Sequence, residues 1–141
     1  LGIIMLDLDN FKKVNDVHGH LVGDEVLRAS ARRIAEGVRV YDMVGRYGGE
    51  EFLALTPGCV MPALQQQAER LRASLAEPIN TSAGMIQISA SIGIVGAELG
   101  ANSMLDSRTL VHAADQAMYR AKSKGKNRVE EGALEGVGVN S

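Results

Sequence analysis

Apolar and polar residues recur along the chain with periods that separate strands from helices. Residues 2–8 form a continuous apolar run that ends in an acid, which is typical of a buried central strand. Apolar residues spaced four and three apart predict amphipathic helices, and Pro78 ends the third of them. These helices cover residues 10–17, the segment from Leu27 to Val38 after a glycine-broken turn over residues 18–24, residues 60–77 and residues 107–123.

The other segments favour strands. Residues 41–46 and 50–56 predict a hairpin, and the paired glycines Gly48 and Gly49 between them favour the positive φ angles of a tight turn. Residues 86–95 alternate between apolar and polar or small side chains, which predicts one half-buried strand. Residues 127–130 add a short closing strand. Because helices interrupt the strands without strict alternation, we expect an α+β domain with helices packed on a mostly antiparallel sheet.

Length and composition narrow the class of protein. The 141 residues fit one domain, and the formal net charge of -2 argues against bulk electrostatic binding of nucleic acid. Cys59 is the single cysteine, so no intrachain disulfide forms and a cytoplasmic location is favoured. No apolar run has membrane-spanning length. The chain opens directly on a core strand, so we expect it to be cut from a longer protein, and residues 131–141 are expected to form a flexible tail.

Two acids stand at the end of the first strand. Asp7 and Asp9 are two residues apart, so on a strand they point the same way and could hold a hard cation. A calcium loop is rejected, because its glycine and glutamate positions are occupied by Lys12 and His18. Taken alone, the two acids are better explained as a helix N-cap and a solvated strand end than as a cation site.

The predicted hairpin carries the sequence RYGGEEF. Its glycines let a phosphate or another backbone approach closely. Adjacent strand residues face opposite sides, so Glu50 and Glu51 cannot both face one metal, but one of them meets Asp7 if the hairpin pairs with the first strand. Two such carboxylates and a backbone carbonyl are a natural magnesium site for nucleotide phosphates. The alternative is a solvated hairpin tip.

The run from Lys122 to Arg128 is strongly basic. Cations at a helix C-terminus suit the helix dipole, so a solvated helix end is one interpretation. A triphosphate clamp is the sharper one, and a nucleic-acid patch would lack aromatic partners for the bases.

Four segments together resemble one family, in its order and with its spacing. They are DLDNFKKVND at residues 7–16, G-H-x-x-G-D at 19–24, RYGGEEF at 46–52 and A-D-x-A-M-Y-x-A-K-x-x-G-K-N-R at 114–128. This combination resembles the GGDEF family of diguanylate cyclases from residue 1 to about residue 129. The resemblance implies a palm-like nucleotidyl cyclase fold over residues 1–130. It also implies an enzyme that condenses two GTP molecules into cyclic di-GMP and pyrophosphate.

The resemblance also implies roles for individual residues. Asp7, the Leu8 carbonyl and Glu50 correspond to magnesium ligands, with two ions per active site and Mn²⁺ as the alternative metal. Glu50 corresponds to the catalytic acid near the attacking 3′-hydroxyl, a position where the signature accepts Asp or Glu. Asn15 and Asp24 correspond to the residues that read guanine, whose N1 and N2 hydrogens an acid can accept.

The remaining substrate contacts follow from the same resemblance. Phe11 and Lys12 are expected over the phosphates, and Lys122 and Lys126 as the triphosphate clamp. His20 lines the base or ribose pocket, with loop packing as the alternative, and Arg46 holds a phosphate or the sheet edge.

A second pattern lies upstream of the glycines. Arg39 and Asp42 fit R-x-x-D, and Asp42 falls six residues before Gly48. In the family this spacing marks an inhibitory product site, and Arg70 matches its second arginine. The alternative is a surface ion pair.

The chain departs from the family pattern in two ways. It lacks the opening helix with its D-x-L-T-G-L-x-N-R segment, and it lacks the sensor or stalk domains that usually bring two cyclase domains together as a homodimer. The full-length protein is accordingly expected to have an N-terminal sensor or stalk, with a membrane anchor in that region as one option. A module that binds GTP or cyclic di-GMP without turnover remains the alternative function.

Overall fold

The structure is a computed structural model that describes residues 1–97 and 106–133. Within them lie seven strands and four helices, in the order strand, two helices, hairpin, helix, small hairpin, strand, helix and strand. The strands are β1 Gly2–Leu8, β2 Met43–Arg46, β3 Glu51–Thr56, β4 Ile79–Thr81, β5 Gly84–Ile86, β6 Ala90–Gly96 and β7 Arg128–Glu131. The helices are α1 Phe11–His18, α2 His20–Gly37, α3 Ala63–Leu75 and α4 Ser107–Ser123.

Five strands form the main sheet, in the order β2-β3-β1-β6-β7. The central strand β1 runs antiparallel to both β3 and β6, and only the β6–β7 pair is parallel. Strands β4 and β5 form a separate two-stranded sheet. The expected α+β class with a mostly antiparallel sheet is therefore confirmed.

Helices cover both faces of β1, which explains its continuous apolar run. Ile4 and Leu6 face a cluster that also contains buried residues of α1, α2 and α3. Ile3 and Met5 face a second cluster built with α4. Since Asp7 follows on the α4 side of this alternation, its carboxylate is presented beside that helix.

The start of the second helix differs from the sequence prediction. Helix α2 begins at His20, so Gly23 and Asp24 lie inside it and not in the preceding turn. The turn is confined to Gly19, whose φ of 90° lets α1 pass directly into α2. A glycine within a predicted turn therefore belonged to the helix, and it has a packing role there.

The predicted single strand over residues 86–95 is wrong in both extent and burial. Gly84–Ile86 belongs to the small sheet and Ala90–Gly96 to the main one. Ser91 is fully buried, and a Cβ on Gly93 would lie 2.0 Å from the Ala114 carbonyl oxygen of α4. The small residues that resembled a solvent face instead allow α4 to pack directly on the strand.

The last strand, β7, ends at Glu131, one residue beyond the expected domain boundary. Residues 134–141 of the predicted tail lie outside the described residues. None of the helices within residues 1–97 and 106–133 is both long enough and apolar enough to cross a bilayer.

Candidate active site

A cavity of about 440 Å³ lies between the α1–α2 pair and the β2–β3 hairpin. Helix side chains form one wall, and the end of β2 with the glycine turn forms the other. Seven residues singled out from the sequence as substrate or catalytic positions meet there, together with Leu27 and Gly49. The lining consists of Phe11, Lys12, Asn15, His20, Asp24, Leu27, Arg46, Gly49 and Glu50.

The close approach of α1 and α2 places Asn15 and Asp24 on the same cavity. Gly23 makes this possible, because a Cβ there would lie 1.7 Å from the Asn15 Oδ1 atom. The amide of Asn15 therefore occupies the space that any larger residue at position 23 would take. One amide and one carboxylate consequently line the same wall, as hydrogen-bonding groups for a polar ligand.

The glycine turn of the hairpin is fixed by hydrogen bonds from Arg46, and the space beside Gly49 is open. Arg46 donates from Nε and NH2 to the Gly49 carbonyl at 3.0 and 2.6 Å, and from Nε to the Gly48 carbonyl at 3.2 Å. Neither glycine is among the residues with positive φ, so that part of the sequence prediction is wrong. A Cβ on Gly49 would meet nothing within 4 Å, so neither packing nor backbone conformation demands glycine there. A bare backbone beside a cavity suits close approach by a ligand.

Carboxylates gather where β1 ends and β3 begins. Asp7 is paired in register with Glu51, so their side chains share one face of the sheet, whereas Glu50 precedes β3 and lines the cavity. The carbonyl of Glu50 accepts from the Leu8 N–H at 3.1 Å, which fixes the two chain segments together. Sequence reasoning left the role of Glu51 open, because only the register shows which glutamate lies opposite Asp7.

Burial raises the pKa of Asp7, an effect that Lys122 opposes and that the charges of Glu50 and Asp9 reinforce. Burial likewise raises the pKa of Glu51, with further contributions from the charges of Asp7, Asp115 and Glu50. The site therefore concentrates negative charge in a partly desolvated place, which is the electrostatic condition for binding a cation.

The residues present fit a hard metal ion, although they are not gathered into a finished cage. No group of three or more acidic, His or Cys side chains is close enough to hold a metal within the part of the chain that the structure describes. However, Asp7 Oδ1 is buried without a hydrogen-bond partner. An unpaired, acceptor-only oxygen beside other carboxylates matches the ligand preference of Mg²⁺.

The two lysines expected to clamp phosphate lie beside the β1–α1 junction and do not line the cavity. Lys122 Nζ is 3.2 Å from Asp7 Oδ2 and 3.8 Å from Asp9 Oδ1. Lys126 Nζ donates to Asn10 Oδ1 at 3.0 Å. Both ammonium groups thus adjoin the segment that carries Phe11 and Lys12 into the cavity.

Asp9 differs from the interpretation of the sequence taken alone. It is neither a solvated strand end nor a helix cap, since it is 2% exposed and the cap position of α1 is Asn10. Its carboxylate accepts from the hydroxyls of Ser89 and Ser91 and from the Asn127 N–H.

The R-x-x-D pair lies at the opposite end of β2 from the glycine turn. Arg39 donates to both oxygens of Asp42 at 2.8 to 3.1 Å and stacks 4.4 Å from the Tyr41 ring centroid. Burial raises the pKa of Asp42, but hydrogen bonds from Arg39 and Gln67 outweigh it and leave the pKa below its ordinary value. Arg70 is exposed on α3, three residues from Gln67, and forms no described hydrogen bond or ion pair with Arg39 or Asp42.

Comparison with known proteins identifies the family. The family described as "Diguanylate cyclase, GGDEF domain" matches residues 1–128, and the chain therefore belongs to the GGDEF domain family. The chain is similar to diguanylate cyclase DgcP of Pseudomonas aeruginosa, with 40% identity over 134 residues that cover 92% of this chain and 19% of DgcP. It spans only 19 to 30% of the length of the first curated relatives it matches.

Solved structures agree with this assignment. The GGDEF domain of DgcB from Caulobacter crescentus, in complex with c-di-GMP, matches with a TM-score of 0.84 and 28% identity, covering 92% of this chain and 76% of that one. The active GGEEF domain of a diguanylate cyclase from Vibrio cholerae matches with a TM-score of 0.83 and 31% identity, covering 94% and 82%. These matches support the palm-like cyclase fold expected from the sequence.

Proposed function

We propose that this chain is the catalytic domain of a diguanylate cyclase that condenses two GTP molecules into cyclic di-GMP and pyrophosphate. The observation that carries the proposal is the cavity, which joins Asn15 and Asp24 on one wall to Gly49 and Glu50 on the other. The relatives named as diguanylate cyclases support the same activity.

Guanine selection is assigned to Asn15 and Asp24. Asp24 is an acceptor for the N1 and N2 hydrogens of guanine, and adenine offers no such pair of donors. A site built to hydrogen-bond these groups rejects an analogue that leaves its polar atoms unpaired. Phe11, Lys12 and His20 complete the helical wall beside them.

Magnesium binding is assigned to Asp7, the Leu8 carbonyl and Glu50, with two ions per site and Mn²⁺ as the alternative. The register adds Glu51 as a further carboxylate on the Asp7 side. Bound there, the metal supplies positive charge that acidifies an attacking hydroxyl and offsets charge on the reacting phosphate. Without a metal, Lys122 pairs with Asp7 and partly neutralises its charge. Because a metal ion would take over this neutralisation, Lys122 would then be free to contact a triphosphate.

The reaction requires two copies of the domain. Each holds one GTP, and the 3′-hydroxyl of one attacks the α-phosphate of the other while Glu50 lies near the hydroxyl. The new bond replaces the bond between the α- and β-phosphates, so pyrophosphate leaves. A second attack in the opposite sense closes the ring, so the active species is a homodimer. We propose that N-terminal sensor or stalk segments of the whole protein bring the copies together.

Product feedback is assigned to Arg39 and Asp42, with Arg70 as the second arginine. Asp42 holds Nε and NH2 of Arg39, which leaves NH1 for a ligand and presents the guanidinium in a fixed plane. Guanidinium groups suit both guanine edges and phosphates.

Incubation with GTP and magnesium, followed by chromatography of the products, tests the proposal. We expect cyclic di-GMP from the wild type and none from Glu50→Ala, whereas Glu36→Ala, an exposed glutamate on α2, is the matched control. Full activity of Glu50→Ala would refute its catalytic role. GTP binding without any product, also after fusion to a dimerising coiled coil, would favour the non-turnover module.

The isolated chain is expected to be a weak cyclase whose rate rises more steeply than protein concentration, because the active species is a dimer. Fusion of a dimerising coiled coil to the N-terminus of the chain should raise the specific activity. Initial rates across protein concentrations check this expectation. A strictly proportional rate for the isolated chain, equal per subunit to the fused form, would contradict it.

A further inference from the structure

Asp7 and Asp9, the two acids of the D-x-D sequence, have different roles. We infer that Asp9 is a positioning residue that holds the loop between α4 and β7, so that Lys126 is kept at the β1–α1 junction beside the nucleotide cavity. The inference rests on the proposed function only in that Lys126 contacts a triphosphate there. The placement of the loop itself follows from contacts within the protein.

Both oxygens of Asp9 are already engaged. Oδ1 accepts from the Ser91 hydroxyl at 2.6 Å, and Oδ2 accepts from the Ser89 hydroxyl at 2.6 Å and from the Asn127 N–H at 3.0 Å. The side chain is 1% exposed. A carboxylate so enclosed is poorly available to a metal, in contrast to Asp7, whose Oδ1 has no partner.

The loop that Asp9 contacts has a backbone conformation that needs support. Lys126 and Asn127 have φ angles of 66° and 47°, in the left-handed region that residues other than glycine seldom occupy. Two bonds secure Asn127 in this conformation, one from its N–H to Asp9 and one to its side-chain oxygen from Arg72 NH1 at 2.8 Å. Asp9 thus provides the buried anchor of the loop, and Arg72 provides an exposed one.

The consequence is the position of the Lys126 ammonium group. Lys126 donates to Asn10 Oδ1 at 3.0 Å, and Asn10 follows Asp9 directly in the chain. Asn10 immediately precedes Phe11 and Lys12, which line the cavity. Asp9 therefore ties the two segments that meet at this point, by its own place in the chain on one side and by the Asn127 bond on the other.

The test measures binding of GTP and of GMP, with magnesium, by calorimetry. GMP has no β- or γ-phosphate for Lys126 to contact. We expect Asp9→Asn to weaken GTP binding roughly tenfold to a hundredfold, the range for losing one charge-assisted hydrogen bond that orders the loop, while GMP affinity is unchanged. Arg72→Gln, which leaves the buried carboxylate intact, should give a smaller change in the same direction. Lys124→Ala is the matched control, because Lys124 pairs with Glu130 and makes no contact with Asp9.

A double-mutant cycle separates positioning from general damage. If Asp9 acts through Lys126, adding Lys126→Ala to Asp9→Asn costs much less than Lys126→Ala costs in the wild type. The magnesium concentration giving half-maximal GTP binding should stay the same. Equal loss of GTP and GMP affinity, additive effects of the two substitutions, or a shift in the magnesium requirement would each overturn the inference.

Amide hydrogen exchange provides a readout that does not depend on nucleotide binding. The Asn127 N–H should exchange faster in Asp9→Asn than in the wild type, and at the wild-type rate in Lys126→Ala. Unchanged exchange in Asp9→Asn would refute the anchoring of the loop even if the protein binds GTP normally. Failure of the wild type to bind GTP would instead refute the proposed function and leave the exchange result to decide the inference.

Discussion

Substitution of Gly23 by alanine should separate folding from nucleotide selection. The new Cβ would lie 1.7 Å from Asn15 Oδ1 and 2.9 Å from its Cγ, whereas real Cβ atoms essentially never approach closer than 3.0 Å. The oxygen must therefore move by at least about 1.3 Å, the difference between 3.0 and 1.7 Å. Since the contact is to the end of a flexible side chain, Asn15 can rotate away without parting α1 from α2.

Gly23→Ala should affect folding stability and nucleotide affinity differently. Replacing glycine by alanine in a helix interior favours the helix by about 1 kcal/mol, which offsets the cost of moving Asn15. Displacement of the Asn15 amide removes about one hydrogen bond to the base, worth about 0.5–1.5 kcal/mol, or roughly twofold to tenfold in affinity. We therefore expect Gly23→Ala to be about as stable as the wild type and to bind GTP more weakly, with a narrower preference for GTP over ATP.

The assay combines urea denaturation with calorimetric titration of GTP and ATP. The control is the double variant with Asn15→Ala, which should bind GTP no more weakly than Asn15→Ala alone, because both changes remove the same contact. An unchanged ratio of GTP to ATP affinity in folded Gly23→Ala would refute the role of Asn15. A loss of more than about 2 kcal/mol in stability would show that the helices, and not the side chain, take up the clash.

Three further expectations can be checked. Gly93→Ala places a Cβ 2.0 Å from the α4 backbone and should lower the free energy of unfolding by about 3 kcal/mol, whereas Gly45→Ala meets nothing within 4 Å and should change it by about 0.5 kcal/mol or less in urea denaturation. Arg39→Ala should abolish cyclic di-GMP binding in calorimetry without changing GTP affinity. Unaltered affinity for cyclic di-GMP would show that Arg39 and Asp42 form only a surface ion pair. Burial raises the pKa of Asp7 above 3.8, so its ionised form costs stability that returns as pH falls through that raised pKa. Metal-free Asp7→Asn should accordingly be more stable than the wild type at neutral pH, by a margin that shrinks on acidification, and a margin independent of pH would contradict this.

The sequence predicted the structure best where the residues are apolar, because apolar residues at regular spacing indicate a buried face. The elements β1 and α4 were predicted close to their observed bounds. A strand buried on both faces has a continuous apolar run, whereas a helix buried on one face has apolar residues three and four positions apart. Seven residues singled out by the family pattern line one cavity. Sequence reasoning did less well with small residues, since serine and glycine suit both a solvent face and the seat of a helix. Only the packing of α4 on Gly93 distinguishes these two environments.

Glycine caused two further errors for the same reason. Gly23 was placed in a turn and Gly48 and Gly49 were expected at positive φ, but Gly23 is helical and neither turn glycine has positive φ. Glycine relieves either a backbone constraint or a steric one, and the sequence does not say which. At Gly23 the constraint is the Asn15 side chain. At Gly49 the space is open, which suits a ligand.

The adjacent glutamates show how far an argument from local geometry extends. Alternation along a strand excludes two neighbours from one face only if both belong to the strand, and β3 begins at Glu51. Register then assigns Glu51 to the face of Asp7, while Glu50 lines the nucleotide cavity from the turn. The charge of Glu50 nevertheless contributes to raising the pKa of Asp7. Both glutamates therefore lie near the Asp7 carboxylate, one across the sheet and one from the turn, so strand alternation does not exclude either of them from that place.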